Sequence, residues 1–137
     1  MRFNKLHKVR SWLQPFLAMP KMLRELDKHP EIGLMNTRMS LSGKTITLTQ
    51  YWRSFDQLEA FAKNPSQTHL AAWREFNKRI GASGEVGIYH ETYRIGPGQH
   101  ETIYGNMPIM GLAAAGRSVP IGGRNQTARK RLNPQTT

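Results

Sequence analysis

A chain of 137 residues with a formal net charge of +11 and no cysteine has room for one folded domain around one core. The missing thiols exclude disulfides, thiolate nucleophiles and cysteine-based zinc or iron–sulfur centres, which leaves histidines and carboxylates as metal-binding options. No apolar run approaches the roughly 20 residues of a transmembrane helix, and Met1-Arg2-Phe3-Asn4-Lys5 does not lead into the apolar core of a signal peptide, so the expectation is a cytoplasmic protein with no membrane partner.

The charge is unevenly placed. Arg2, Lys5, Lys8, Arg10, Lys21, Arg24 and Lys28 precede Pro30, and Arg117, Arg124, Arg129, Lys130 and Arg131 lie in a tail without acids. The rest is nearly balanced. Such a total favours anionic partners, but none of the signatures of common nucleic-acid modules occurs, and nucleic acid is not the expected partner.

In chain order, Phe3 between polar neighbours is a candidate end of a short first strand. Val9, Trp12, Leu13 and Phe16, then Met19, Met22, Leu23 and Leu26, repeat at helical spacing, and one amphipathic helix accounts for both sets. Pro15 and Pro20 each remove a backbone donor, so a kink or break is expected near Pro20. His29-Pro30 ends the helix.

Leu34–Leu41 alternates, with Met35, Thr37, Met39 and Leu41 on one side. After Ser42-Gly43-Lys44, residues Thr45–Trp52 alternate again, with Ile46, Leu48, Gln50 and Trp52 on one side and Thr45, Thr47, Thr49 and Tyr51 on the other. This is a β-hairpin. Ser54-Phe55-Asp56-Gln57 has the form of a capping box, with the glutamine expected to reach back to the cap. A short helix follows to about Lys63, and after Asn64-Pro65 the residues Leu70, Trp73, Phe76 and Ile80 continue a helical period to Gly81.

Glu85–Arg94 then alternates so that Val86, Ile88, His90 and Thr92 share one face, which predicts a central strand with an imidazole among apolar residues. Glu101–Tyr104 is a candidate further strand, and Gly105-Asn106-Met107-Pro108 is turn chemistry. From Gly111 onward there is little to bury. The expected organisation is therefore a domain over residues 1–110 and a basic, loosely packed or disordered extension over 111–137.

The order β-α-β-β-α-β predicts an α+β, ferredoxin-like antiparallel sheet with helices on one face. Its other face is more β-prone and less charged than a solvated face usually is. A second subunit packed sheet to sheet is the expected cover, in a C2 homodimer.

Four blocks carry a resemblance: Gln50-Tyr51-Trp52-Arg53-Ser54-Phe55-Asp56-Gln57-Leu58-Glu59-Ala60, His69-Leu70-Ala71-Ala72-Trp73-Arg74-Glu75-Phe76-Asn77, Gly87-Ile88-Tyr89-His90-Glu91-Thr92-Tyr93 and Tyr104-Gly105-Asn106-Met107-Pro108. Over roughly residues 1–125 the chain resembles the monooxygenase-like family related to the fumagillin-pathway monooxygenase. That family sits within the dimeric α+β barrel superfamily of ABM-type monooxygenases. Its members usually carry a longer apolar segment ahead of the Met-Arg-Phe-Asn-like stretch, so the chain is expected to begin inside its first strand.

The resemblance implies a monooxygenase that needs no cofactor, acting on dioxygen and a small electron-rich organic substrate in a pocket between sheet and helices. In that reading His90 is the base or proton shuttle, the alternative being a buried, hydrogen-bonded histidine. Asn4 would hold an oxygen of the substrate or of dioxygen, or simply make a turn. Trp52 and Trp73, with Trp12, are pocket walls or core aromatics, and the two roles are compatible. Tyr93 is a polar contact, and Tyr104 and Asn106 close the pocket mouth or form a structural turn.

His69 resembles, by its spacing from Trp52, the helical haem ligand of haem-degrading members of the superfamily. Haem binding is thus one alternative, against a helix-surface or capping histidine. A dimeric module that binds a small molecule or nucleic acid without catalysis is another. His7, His29 and His100 show no metal-ligand spacing, so no metal site is expected.

Overall fold

The computed structural model describes residues 1–133. Contacts divide the chain into two compact units, Met1–His90 and a second that begins at Glu91. The first unit contains β1 (Arg2–Phe3), α1 (Val9–Lys28), a 3-10 turn (Pro30–Ile32), β2 (Leu34–Ser42), β3 (Thr45–Trp52), α2 (Phe55–Lys63), α3 (Thr68–Arg79) and β4 (Val86–Gly87). The strands form one four-stranded sheet in the order β2-β3-β1-β4 with antiparallel neighbours throughout. This is an α+β architecture.

The hairpin is as the alternation predicts. Register runs from Thr37↔Gln50 to Ser42↔Thr45, with an irregularity between Leu34 and Asn36, and Gly43 supplies the left-handed turn residue at φ 55°. Phe3, Ile46 and Val86 are buried on the helix side of the sheet, where Phe3 meets Trp12 of α1 at 5.1 Å between ring centroids.

Four expectations are corrected. The predicted strand over Glu85–Arg94 is two residues long, because its neighbour β1 offers only Arg2↔Gly87 and Phe3↔Val86. A strand continues only while a ladder satisfies its backbone. The predicted strand over Glu101–Tyr104 has no regular structure. Of the kink or break expected near Pro20, the break does not occur: α1 is continuous from Val9 to Lys28 with both prolines inside.

Contacts on either side of the prolines hold that helix together. The Arg79 guanidinium donates to Gln14 near one end, and Glu25 accepts from the backbone N–H of Thr68 at 3.1 Å, as well as from its hydroxyl, near the other. Helix α1 therefore runs antiparallel to α3, and Leu26, only 1% exposed, anchors it. The Glu25 carboxylate also serves the N-terminus of α3, whose own N-cap residue Gln67 makes no side-chain cap.

The fourth correction concerns Gln57. Ser54 Oγ accepts the Gln57 backbone N–H at 3.1 Å and donates to Gln57 Oε1 at 3.4 Å, so the glutamine reaches the cap's side chain, while its Nε2 donates to the Glu31 carbonyl at 3.3 Å and not toward the cap's backbone. Gly33 makes room for that detour. Its φ is 104°, and a Cβ there would lie 2.5 Å from the Gln57 side chain.

The second unit holds α4 (Leu112–Ala115), a 3-10 turn (Gly123–Asn125) and α5 (Ala128–Leu132). Arg131 donates to Glu101 at 2.7 Å and to the carbonyls of Asn125 and Gln126 at 3.0 Å. Short helices lie within the stretch expected to be a loose extension, and its Arg131 pairs with Glu101, while residues 134–137 lie outside the described residues. No helix among the described residues is long and apolar enough to cross a membrane.

Candidate functional site

Several aromatic and imidazole side chains of the first unit pack ring against ring. Trp52, at the end of β3, packs on Phe61 of α2 with centroids 5.4 Å apart, and Phe61 packs on His69 of α3 at 5.5 Å. One turn further along α3, Trp73 stacks on His90 at 6.0 Å and 28°, and on Phe76 at 5.9 Å and 15°. The helical spacing of His69, Trp73 and Phe76 produces this arrangement, since residues three and four apart share a face.

His90 is not buried beneath the helices as its strand position suggested. It lies just past the end of β4 in irregular backbone and is exposed overall, with its ring against Trp73. That partial burial, followed by the positive charges of His69 and of the Met1 amine, holds its pKa below the usual 6.5. The Met1 ammonium donates to the Ile46 carbonyl at 2.8 Å, and burial lowers its own pKa. His90 is therefore a neutral imidazole at neutral pH, able to take a proton.

The other predicted residues are spread more widely. Asn4 makes the turn: its Nδ2 donates to the Gly84 carbonyl at 3.1 Å and its backbone N–H to Glu85 at 3.1 Å, which fixes the entry into β4 a few residues before His90. His69 is half-buried, with Nδ1 3.4 Å from the Ala62 carbonyl.

Tyr93, Tyr104 and Asn106 belong to the second unit. Tyr93 is 73% exposed, and a hydrogen bond to Glu91 raises its pKa. The Tyr104 hydroxyl donates to the Met110 carbonyl at 2.7 Å and accepts from the Ala113 N–H at 3.2 Å, so it ties its own loop to the start of α4. Asn106 occupies a left-handed turn at φ 52°.

Sequence reasoning passed over Gln50 and Thr37, which are opposite each other on β3 and β2. Trp52 Nε1 donates to Gln50 Oε1 at 3.3 Å, which orients the amide. Among the described residues, Gln50 Nε2 and Thr37 Oγ1 are then buried without a hydrogen-bond partner. An unmet buried donor costs about 1–3 kcal/mol, a standing incentive to bind an acceptor. The signal was present in the sequence: Gln50 is the polar member of the row Ile46, Leu48, Gln50, Trp52.

This unit also holds cavities. One of about 300 Å³ runs between α1 and α3, and one of about 190 Å³ lies among Ile32, Ala60, Phe61 and Gln67. Neither is lined by His69, whose ring lies 5.5 Å from Phe61 and whose Nδ1 is 3.4 Å from the Ala62 carbonyl. Among the described residues no three metal-ligating side chains come together.

Comparison with known proteins adds the family. The family described as "Monooxygenase af470-like" matches residues 1–112. A relative named "Monooxygenase af470", from Aspergillus fumigatus, is 32% identical over 99 residues, covering 69% of this chain and 34% of the relative. The chain spans about a third of that relative's length. No solved structure matches.

Proposed function

The chain belongs to the monooxygenase af470-like family, and from that membership we propose that it is a cofactor-independent monooxygenase acting on a small, electron-rich, readily deprotonated phenol or quinol. The observation that carries the reading is the stacking of a neutral His90 on Trp73. It places a base beside a flat aromatic wall, an arrangement suited to an aromatic substrate that brings its acidic proton within hydrogen-bond reach of the imidazole.

In the proposed reaction His90 removes a proton from the substrate, and the resulting anion passes an electron to dioxygen. Recombination forms a peroxide on the substrate carbon, and cleavage of its O–O bond leaves a carbonyl. The balance is RH2 + O2 → R=O + H2O. Carbon loses four electrons, dioxygen gains four, and the proton taken up by His90 leaves in the water. Gln50 Nε2 is the proposed donor to the substrate oxyanion, Trp52 and Trp73 the walls, and Asn4 a positioning residue for the segment that carries His90.

The test is oxygen uptake and ¹⁸O₂ labelling with a panel of phenols and quinols, without added metal, flavin or nicotinamide. One labelled oxygen in the product is expected. No uptake across the panel, or a Soret band with haemin that disappears in His69→Ala, would overturn the reading and put haem chemistry in its place.

The same proposal extends to assembly. The strand order β2-β3-β1-β4 supports a ferredoxin-like unit, and the Thr45, Thr47, Thr49 and Tyr51 face supports a sheet-to-sheet homodimer of the barrel type. Sedimentation at micromolar concentration is expected to give twice the chain mass, with Thr47→Lys/Thr49→Lys returning it to the single-chain mass. A wild-type monomer would refute the dimer and leave the proposed chemistry to its own test.

A further inference from the structure

The α1–α3 groove has a built-in opening. On one wall are Pro15, Leu17 and Ala18, and on the other Ala72, Phe76 and Ile80. Alanines at Ala18 and Ala72 leave space that a longer side chain on either helix would fill, and the result is an apolar trough of about 300 Å³, large enough for a small ligand. Leu17, at its lip, is 57% exposed.

The polar rim is asymmetric in charge. Arg79 is engaged: it donates to Gln14 and pairs with Glu75 at 3.7 Å. Ser11, also in the lining, is taken up by Glu85. Lys21 makes no ion pair among the described residues, and Glu75 is the one carboxylate in the lining. With Arg79 and Glu75 offsetting each other, one positive charge is left over. By the helical rise, Lys21 sits roughly 10 Å along α1 from Gln14, at the far end of the trough from Arg79. An apolar channel with a single uncompensated ammonium at one end complements a molecule with one anionic head and one apolar chain.

We infer that this groove is a second binding site, for a small anionic amphiphile such as a medium-chain carboxylate, with Lys21 holding the head and Leu17, Phe76 and Ile80 contacting the chain. It does not depend on the proposed oxygenation, since such a carboxylate has neither an acidic phenol nor an oxidisable ring.

Sodium decanoate, kept below its micelle concentration, is the probe, and amide chemical shifts of the ¹⁵N-labelled chain are the readout. Saturable shifts confined to Phe16–Lys21 and Ala72–Ile80 are expected. Lys21→Glu should weaken decanoate by about tenfold or more, as charge reversal beside an anion does, and leave 1-decanol nearly unchanged. Ala72→Trp, or Ala18→Leu should the former fail to fold, should abolish both by filling the trough, whereas His90→Ala should alter neither. Non-saturable shifts, shifts centred elsewhere, or decanoate binding indifferent to Lys21→Glu would overturn the inference.

Discussion

Replacing His90 by alanine is expected to lower kcat/KM for whichever phenol or quinol is turned over by about 10²–10⁴-fold, the usual contribution of a positioned general base, with the far-UV circular dichroism unchanged. The side chain lies past the end of β4 and is exposed overall, so removing it opens no core cavity. Its pH dependence is the sharper readout. Because burial, the His69 charge and the Met1 amine all lower its pKa from 6.5, the acid limb of kcat/KM should fall below pH 6.5, where an ordinary histidine would already be half-protonated.

His69→Gln removes the second of those causes, and the limb should then move up toward 6.5 while the burial contribution persists. An acid limb in the same place in both proteins, or turnover undiminished in His90→Ala, would remove His90 from the chemistry. The same shift has a consequence for folding. A histidine with a depressed folded-state pKa binds fewer protons than in the unfolded chain, so the stability it contributes is present above 6.5 and is lost as pH falls from there through its folded value.

The parts of the fold that could be read from sequence were those decided locally. Alternation and Gly43 specify the hairpin, and Ser54 caps α2 as its spacing from Gln57 requires. What escaped was decided at a distance. Whether Glu85–Arg94 could be a strand depended on how much of β1 lay beside it, and Arg2 and Phe3 suffice for only two rungs. Whether Pro20 would break α1 depended on Gln14 and Glu25 finding partners on α3. The same holds for the site. His90 and Trp73 were both candidates from sequence, but their stacking comes from the turn at Asn4 and Gly84 meeting a helix face. Gln50 stands in the apolar row of β3, but only the hydrogen bond from Trp52 Nε1 to its Oε1 shows that its Nε2 is left unmet.

Phe61→Ala should produce the largest loss of stability in the first unit. Phe61 is 4% exposed and lies where β3, α2 and α3 converge, with Trp52 5.4 Å to one side and His69 5.5 Å to another. Truncating a buried phenylalanine costs about 3–5 kcal/mol, the lost transfer energy plus the cavity left behind. Domains of this size are typically stable by about 5–15 kcal/mol in total, so the midpoint of urea unfolding should fall steeply with little change in slope. Phe61→Leu, which keeps apolar contact but loses the ring, should fall between wild type and alanine.

The loss is expected to reach the site as well, because Phe61 is the spacer that keeps the Trp52 indole and the His69 imidazole apart. With the ring gone, His69 can turn on α3, and its charge no longer sits at a fixed distance from His90. The acid limb of kcat/KM should then broaden or shift under conditions where Phe61→Ala is still folded. An alanine variant within 1 kcal/mol of wild type, or one as unstable as expected but with an unmoved pH profile, would show that the Trp52–Phe61–His69 stack is packing alone and has no hold on the base.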